Sequence, residues 1–159
     1  MIFDTGVHYI GGLDEGQNLY QYFKYFDIMD KLKLRRMDEN GFDRITFEND
    51  PTTYNHSIGY DRFVENLLKV FPKEKEGLLK YTRKLKEICA FFPLYNVEVG
   101  KPEDLDFRYM EINAKDFIAS CTSDPKLQNV LAGSNVLYAG YPDKTPLYIH
   151  ALVINTYIE

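Results

Sequence analysis

Few residues in this sequence are able to do chemistry, and their spacing limits what that chemistry is. There are three histidines, His8, His56 and His150. His8 sits in Asp4-Thr5-Gly6-Val7-His8-Tyr9, where a carboxylate, a hydroxyl and an imidazole share one short segment. Such a cluster has the groups to hold a metal or move a proton. A metal centre needs further ligands at matching spacing, none follow, and no metal is expected. His56 closes a strand-like run and reads as a surface or hydrogen-bonding side chain. His150 lies in an apolar helical pattern beside Tyr148, Ile149 and Leu152. It reads first as a core histidine with its hydrogen bonds satisfied, and second as a pocket residue. Cys89 and Cys121 each sit in an apolar helical pattern without a second cysteine or histidine at metal spacing, so both read as small core side chains.

The missing motifs narrow the field further. No G-x-G-x-x-G, phosphate-binding G-x-x-x-x-G-K-[ST], G-x-S-x-G, HExxH or paired CxxC is present. Gly6, Gly11, Gly12 and Gly16 do not fall at phosphate-cradling spacing. The chain is therefore not expected to hold a dinucleotide alone, and no nucleophile with a matching base stands out. Net charge is -5, which suits a phosphate backbone poorly. The one basic run, Lys31, Lys33, Arg35 and Arg36, has Asp30, Asp38 and Glu39 around it and reads as a solvated face. No nucleic-acid partner is expected.

The elements that must position these residues fit one domain. A length of 159 residues allows a real core and not two. Aromatic residues make up 15% of the chain, with 13 Tyr, 11 Phe and no Trp, enough large flat surface to fill a core or line a cavity. The pattern predicts a short strand over Val7–Ile10, a glycine-rich turn, and a helix from about Gln17 to Leu32. Apolar residues cover more than half of that helix, so it should be covered on two sides, by protein or by a ligand. Strand-like runs follow at Leu34–Met37, Phe42–Phe47 and Thr53–Ser57, with turn signals at Asn40-Gly41 and Asn49-Asp50-Pro51. They predict an antiparallel meander. The rest reads as helical: Tyr60–Phe71, about Lys73–Phe92, a helix capped by Asn113, one opened by Asp124-Pro125 that ends at Gly133, and a last one opened by Thr145-Pro146. A loop spans Pro93–Leu105. The expected class is α+β, with an antiparallel sheet of short strands packed with several helices.

The most specific segment is Phe3-Asp4-Thr5-Gly6-Val7-His8-Tyr9-Ile10-Gly11. It resembles a segment of flavin-dependent oxidoreductases of the phytoene dehydrogenase and retinol saturase type. Gly59-Tyr60-Asp61-Arg62-Phe63 with Phe71-Pro72, the run Asp124–Leu131, and the stretch Tyr138–Tyr157 around His150 look like later parts of that family, in the same order. The resemblance implies a substrate-binding domain like that of amine oxidase-like flavoproteins. It also implies a longer parent chain whose FAD-binding domain is this domain's partner. In the parent it implies FAD-dependent desaturation, saturation or isomerisation of a lipophilic polyene such as a carotenoid or retinoid. The family's dinucleotide-binding glycines should lie ahead of Phe3, so no FAD is expected on residues 1–159 alone and the isolated piece is expected to be inactive. The apolar, unstopped ends of the chain agree with a piece of something longer.

By the same resemblance, Asp4, Gly6, His8 and Tyr9 should approach the flavin side of a pocket, with Gly6 expected to contact the cofactor. A long apolar substrate needs an aromatic-lined cavity. The broad first helix, with Tyr22 and Phe26, is expected as one wall, and the last helix, with Tyr148 and His150, as another. The alternative is a non-catalytic lipid-binding or oligomerisation module. A weaker one is a relative that oxidises amines, which would want a polar or aromatic-caged site. Surface that would meet the FAD domain should drive the isolated piece to associate with itself. With no signal peptide and no apolar run long enough to span a bilayer, a cytoplasmic location is expected, with any membrane association coming through the parent.

Overall fold

The structure, a computed structural model, describes residues 9–93, 95–97 and 108–159. Helices dominate it. The first, α1 (Asn18–Tyr25), is followed by a 3-10 turn at Met29–Lys31. Two short strands come next, β1 (Asp43–Ile45) and β2 (Tyr54–His56), then helices α2 (Tyr60–Leu68) and α3 (Lys75–Phe91). Beyond the residues left undescribed lie α4 (Arg108–Glu111), α5 (Ala114–Cys121), α6 (Pro125–Leu131), a 3-10 stretch at Gly133–Tyr138, and α7 (Leu147–Ile158).

The core forms where helical stripes of the right spacing meet. Helix α3 buries Leu78, Tyr81, Thr82, Leu85, Ile88 and Cys89, the three- and four-residue steps of one face. Helix α7 is apolar nearly all round and buries Leu147, His150, Ala151, Ile154, Asn155 and Ile158. A helix of that kind belongs inside, and α7 packs chiefly on α3 with α5 against it. Each fully buried Leu or Ile there contributes about 1.5–3 kcal/mol. Helix α2 adds Phe63, Val64 and Leu67 from the other side.

Local chemistry sets the helix starts. Asn113 accepts a hydrogen bond from the Asp116 amide and so caps α5. Asp124 accepts from the Lys126 and Leu127 amides, with Pro125 in the first turn, and so opens α6. Both caps match the sequence reading. The start of α7 differs. Thr145 turns back to its own loop, where its hydroxyl donates to the Tyr141 carbonyl, and α7 is held instead by the Leu147 amide donating to the Ile112 carbonyl at 2.7 Å.

The antiparallel sheet is smaller than the three-run meander expected. Strands β1 and β2 pair as Asp43 with His56, Arg44 with Asn55 and Ile45 with Tyr54. Leu34–Met37 is irregular and solvent-exposed, with no strand to pair with among the described residues. The Asn40-Gly41 turn therefore leads into the hairpin rather than forming its tip, which spans residues 46–53. Of the first strand, Val7 lies outside the described residues, while Tyr9 and Ile10 are not in a strand. The long first helix is also corrected: it stops at Tyr25, where Asp27 takes a left-handed φ of 55°, and none of its residues is buried.

Among the described residues, no helix is long and apolar enough to cross a membrane, and no three His, Cys, Asp or Glu side chains cluster to hold a metal ion.

Candidate functional site

Two cavities matter, and they lie on different elements. The larger is an open groove of about 650 Å³ between the segment that follows Tyr9, the extended run at residues 33–37 and the C-terminal end of α7. Its position depends on one close approach. The Gly12 amide donates to the Thr156 carbonyl at 2.8 Å, and a Cβ on Gly11 would overlap that same carbonyl oxygen. Only glycine lets the chain lie this near to the helix end. Tyr9, Ile10, Leu34, Met37 and Tyr157 give the groove an apolar lining, and Arg36 edges it while paired with Asp14 at 2.7 Å. Tyr9 packs edge-on against Tyr157 at 4.9 Å and donates its hydroxyl to Asp43 at 3.2 Å. Burial, then the Asp43 charge, push the Tyr9 hydroxyl well above its ordinary pKa, so it stays protonated.

The second cavity, about 270 Å³, opens between α5, α6 and the loop after Tyr138. His150 lies at its inner wall and is 1% exposed. Its Nε2 is 2.7 Å from the Tyr81 hydroxyl and its Nδ1 is 2.7 Å from the Tyr138 hydroxyl. Burial, with a smaller contribution from His56, lowers the His150 pKa to about 3, so the ring is neutral. His150 is thus a core histidine with both ring nitrogens partnered, and it borders a cavity.

The expected site residues do not converge. Asp4, Gly6 and His8 lie outside the described residues. Tyr9 is in the groove and His150 at the cleft. Tyr148 stacks on Phe92 at 5.7 Å, on another side of α7. Tyr22 is half-buried, while Phe26 is 63% exposed and touches Tyr25 edge-on at 5.0 Å. Asn18 and Gln21 of α1 and Thr156 of α7 line a separate cavity of about 160 Å³, and Tyr22, Phe26, Tyr148 and His150 are not among its lining residues.

Sequence reasoning missed two polar networks. His56 is buried rather than on the surface. Its Nε2 meets the Val130 carbonyl at 2.9 Å and its Nδ1 the Ser134 hydroxyl at 3.2 Å, and Ser134 also reaches Asp43 at 2.6 Å. Register was the available signal, because His56 and Tyr54 are the alternate residues of one strand face. In the second network Asn155 takes the Tyr60 hydroxyl on its oxygen, and its amide donates to Tyr95 at 2.8 Å and to Glu159 at 2.7 Å. Asn155 falls four residues after Ala151 on the buried stripe of α7, a polar residue at a core position that calls for partners.

The described residues do not form a dinucleotide cradle. The glycines nearest the groove use their close approach on the Thr156 carbonyl, which repels a phosphate rather than binding it. The described residues thus do not fit FAD by themselves.

No family model matches the chain, and no solved structure matches it. Curated relatives do. The sequence is 25% identical over 178 aligned residues to the all-trans-retinol 13,14-reductase of Danio rerio, covering 99% of this chain and 28% of that protein. The Rattus norvegicus enzyme of the same name matches at 25% over the same shares, and the Homo sapiens enzyme at 24%. The similarity thus runs along essentially the whole chain, and the chain spans just over a quarter of the length of these relatives.

Proposed function

We propose that this chain is the substrate-side portion of a flavin-dependent oxidoreductase acting on a retinoid or a related lipophilic polyene. The observation that carries the reading is the end-to-end similarity to all-trans-retinol 13,14-reductases. The groove beside Tyr9 supports it. Its 650 Å³ falls within the range of about 300–1,000 Å³ usual for small-molecule sites, and aromatic and aliphatic side chains line it. The likeness to the substrate domain of amine oxidase-like flavoproteins belongs to the same proposal. So does a partner FAD-binding domain beyond these residues.

In this reading the chain's own residues bind, orient and shield. Tyr9 and Tyr157 offer flat apolar surface to a conjugated ligand, and Leu34 and Met37 close the opposite side. The redox chemistry belongs to the cofactor, which residues outside those described would have to hold.

The test is a titration of all-trans-retinol into the full chain, followed by retinol fluorescence, beside the variants Leu34→Asp and Met37→Asp. Both side chains are exposed at the groove, at 52% and 39%, so the variants are expected to fold. Saturable binding weakened about tenfold or more by either charge supports the reading. Retinol binding that ignores both charges removes the groove from it. Supplied with FAD, the same chain is expected to show no flavin band after desalting.

A further inference from the structure

The Tyr81–His150–Tyr138 chain of hydrogen bonds can be given a direction by counting protons. Tyr81 is 0% exposed, and His150 Nε2, at 2.7 Å, is its hydrogen-bond partner among the described residues. If that nitrogen carried a proton, Tyr81 would have to accept it, and the Tyr81 hydroxyl hydrogen would be stranded in the dry core. A stranded buried donor costs about 1–3 kcal/mol, so Tyr81 donates to Nε2. The neutral ring then carries its single proton on Nδ1. Nδ1 donates to the Tyr138 oxygen at 2.7 Å. With its oxygen acting as acceptor towards His150, Tyr138 has its own hydrogen left over.

Tyr138 and His150 both line the 270 Å³ cleft, so that is where the spare hydrogen is presented. The Asn129 and Asn135 amides also line the cleft, and three other polar neighbours are committed. The Gln128 amide donates to the Thr122 carbonyl, the Thr145 hydroxyl to the Tyr141 carbonyl, and Lys115 pairs with Asp143. Ala114, Ile118 and Ala132 supply apolar walls. We propose that this cleft is a binding site for a small, mainly apolar molecule bearing one hydrogen-bond-accepting oxygen, with Tyr138 as the donor oriented by His150 and Tyr81. The inference rests on this geometry alone and is independent of the retinoid reading of the groove.

Two measurements on the full chain test it. The first is the 15N spectrum of its histidine rings, with the His150 signal identified by its loss in His150→Gln. The proton is expected on Nδ1; a proton on Nε2 overturns the proposal. The second compares cyclohexanone with methylenecyclohexane, which share a shape and differ in the oxygen, by following the amide shifts of Ala114 and Ala132. The ketone is expected to bind about three- to tenfold more tightly, the worth of one neutral hydrogen bond. In Tyr138→Phe that preference should vanish while the hydrocarbon binds as before. Equal binding of the two probes to the native chain, no binding of either, or a preference that survives Tyr138→Phe overturns the proposal.

Discussion

Helices α1 and α7 both carry broad apolar surfaces, and they end in opposite surroundings. In α7, Leu147, Ala151 and Ile158 are 0% exposed. In α1 no residue is buried, and Tyr25 at its end is 82% exposed. The difference is one of cover. Helix α7 is anchored at its start by the Ile112 carbonyl and is enclosed by α3 and α5. Helix α1 is eight residues long, packs chiefly on the 3-10 turn at Met29–Lys31, and is tied to the preceding segment by the Tyr20 amide donating to the Gly12 carbonyl at 3.0 Å. An apolar face in a sequence shows that something should cover it. It does not show that the cover belongs to the same chain.

The sharpest way to break this contrast is to truncate one side chain on each helix. Ile154→Ala should lower unfolding free energy in urea by about 2–5 kcal/mol, because Ile154 is 1% exposed in the core. Tyr25→Ala should change it by about 0.5 kcal/mol or less. Similar losses at the two positions would mean that α1 is packed after all.

A smaller effect is expected where the two regions meet. Gly11→Ala places a methyl group onto the Thr156 carbonyl and should cost about 1–3 kcal/mol. It should also weaken retinol binding, because the segment bearing Ile10 must move away from α7. Unchanged stability and unchanged binding would show that the approach is dispensable.

The next effect concerns pH and reports on α7 alone. His150 titrates near 6.5 when unfolded and near about 3 when folded, so the unfolded chain binds more protons between those values. The stability tied to the neutral ring is complete above 6.5 and is lost as pH falls towards 3, by about 1.4 kcal/mol per pH unit at most. His56, whose pKa burial also lowers, acts in the same direction. Denaturation curves of His150→Gln should therefore be flatter with pH than those of the native chain by roughly one proton. An unchanged slope would mean that His150 is not held neutral.

The smallest change separates the cysteines. Burial pushes the Cys89 thiol up to about 12, and it also raises the half-buried Cys121. A thiol reagent should label Cys121 first and Cys89 only on unfolding. Labelling in the reverse order would place Cys89 outside the core.

The same contrast explains what the sequence could convey. The capped helices were legible, because Asn113 and Asp124-Pro125 carry their signals within a few residues. The buried stripes of α2 and α3 were legible for the same reason, since spacing alone defines a face. The sheet was overestimated because Leu34–Met37 has strand-forming residues but no partner edge among the described residues, and pairing is decided over long range. Of the site, the sequence grouped Tyr9, Tyr22, Phe26, Tyr148 and His150 around one cavity, and the structure places Tyr9 and His150 at two different ones. The partners of His56 and His150, at Val130, Ser134, Tyr81 and Tyr138, lie 12 to 78 positions away, and no local pattern connects them.

The central claim is that a lipophilic polyene lies in the groove at Tyr9. Its most direct test is to titrate all-trans-retinol into the 15N-labelled full chain and map which backbone amides shift. The account expects shifts concentrated at Ile10–Leu13, Leu34–Met37 and Thr156–Tyr157, with Ala114 and Ala132 at the cleft unmoved. Saturable shifts centred on the cleft, or on neither cavity, would contradict it.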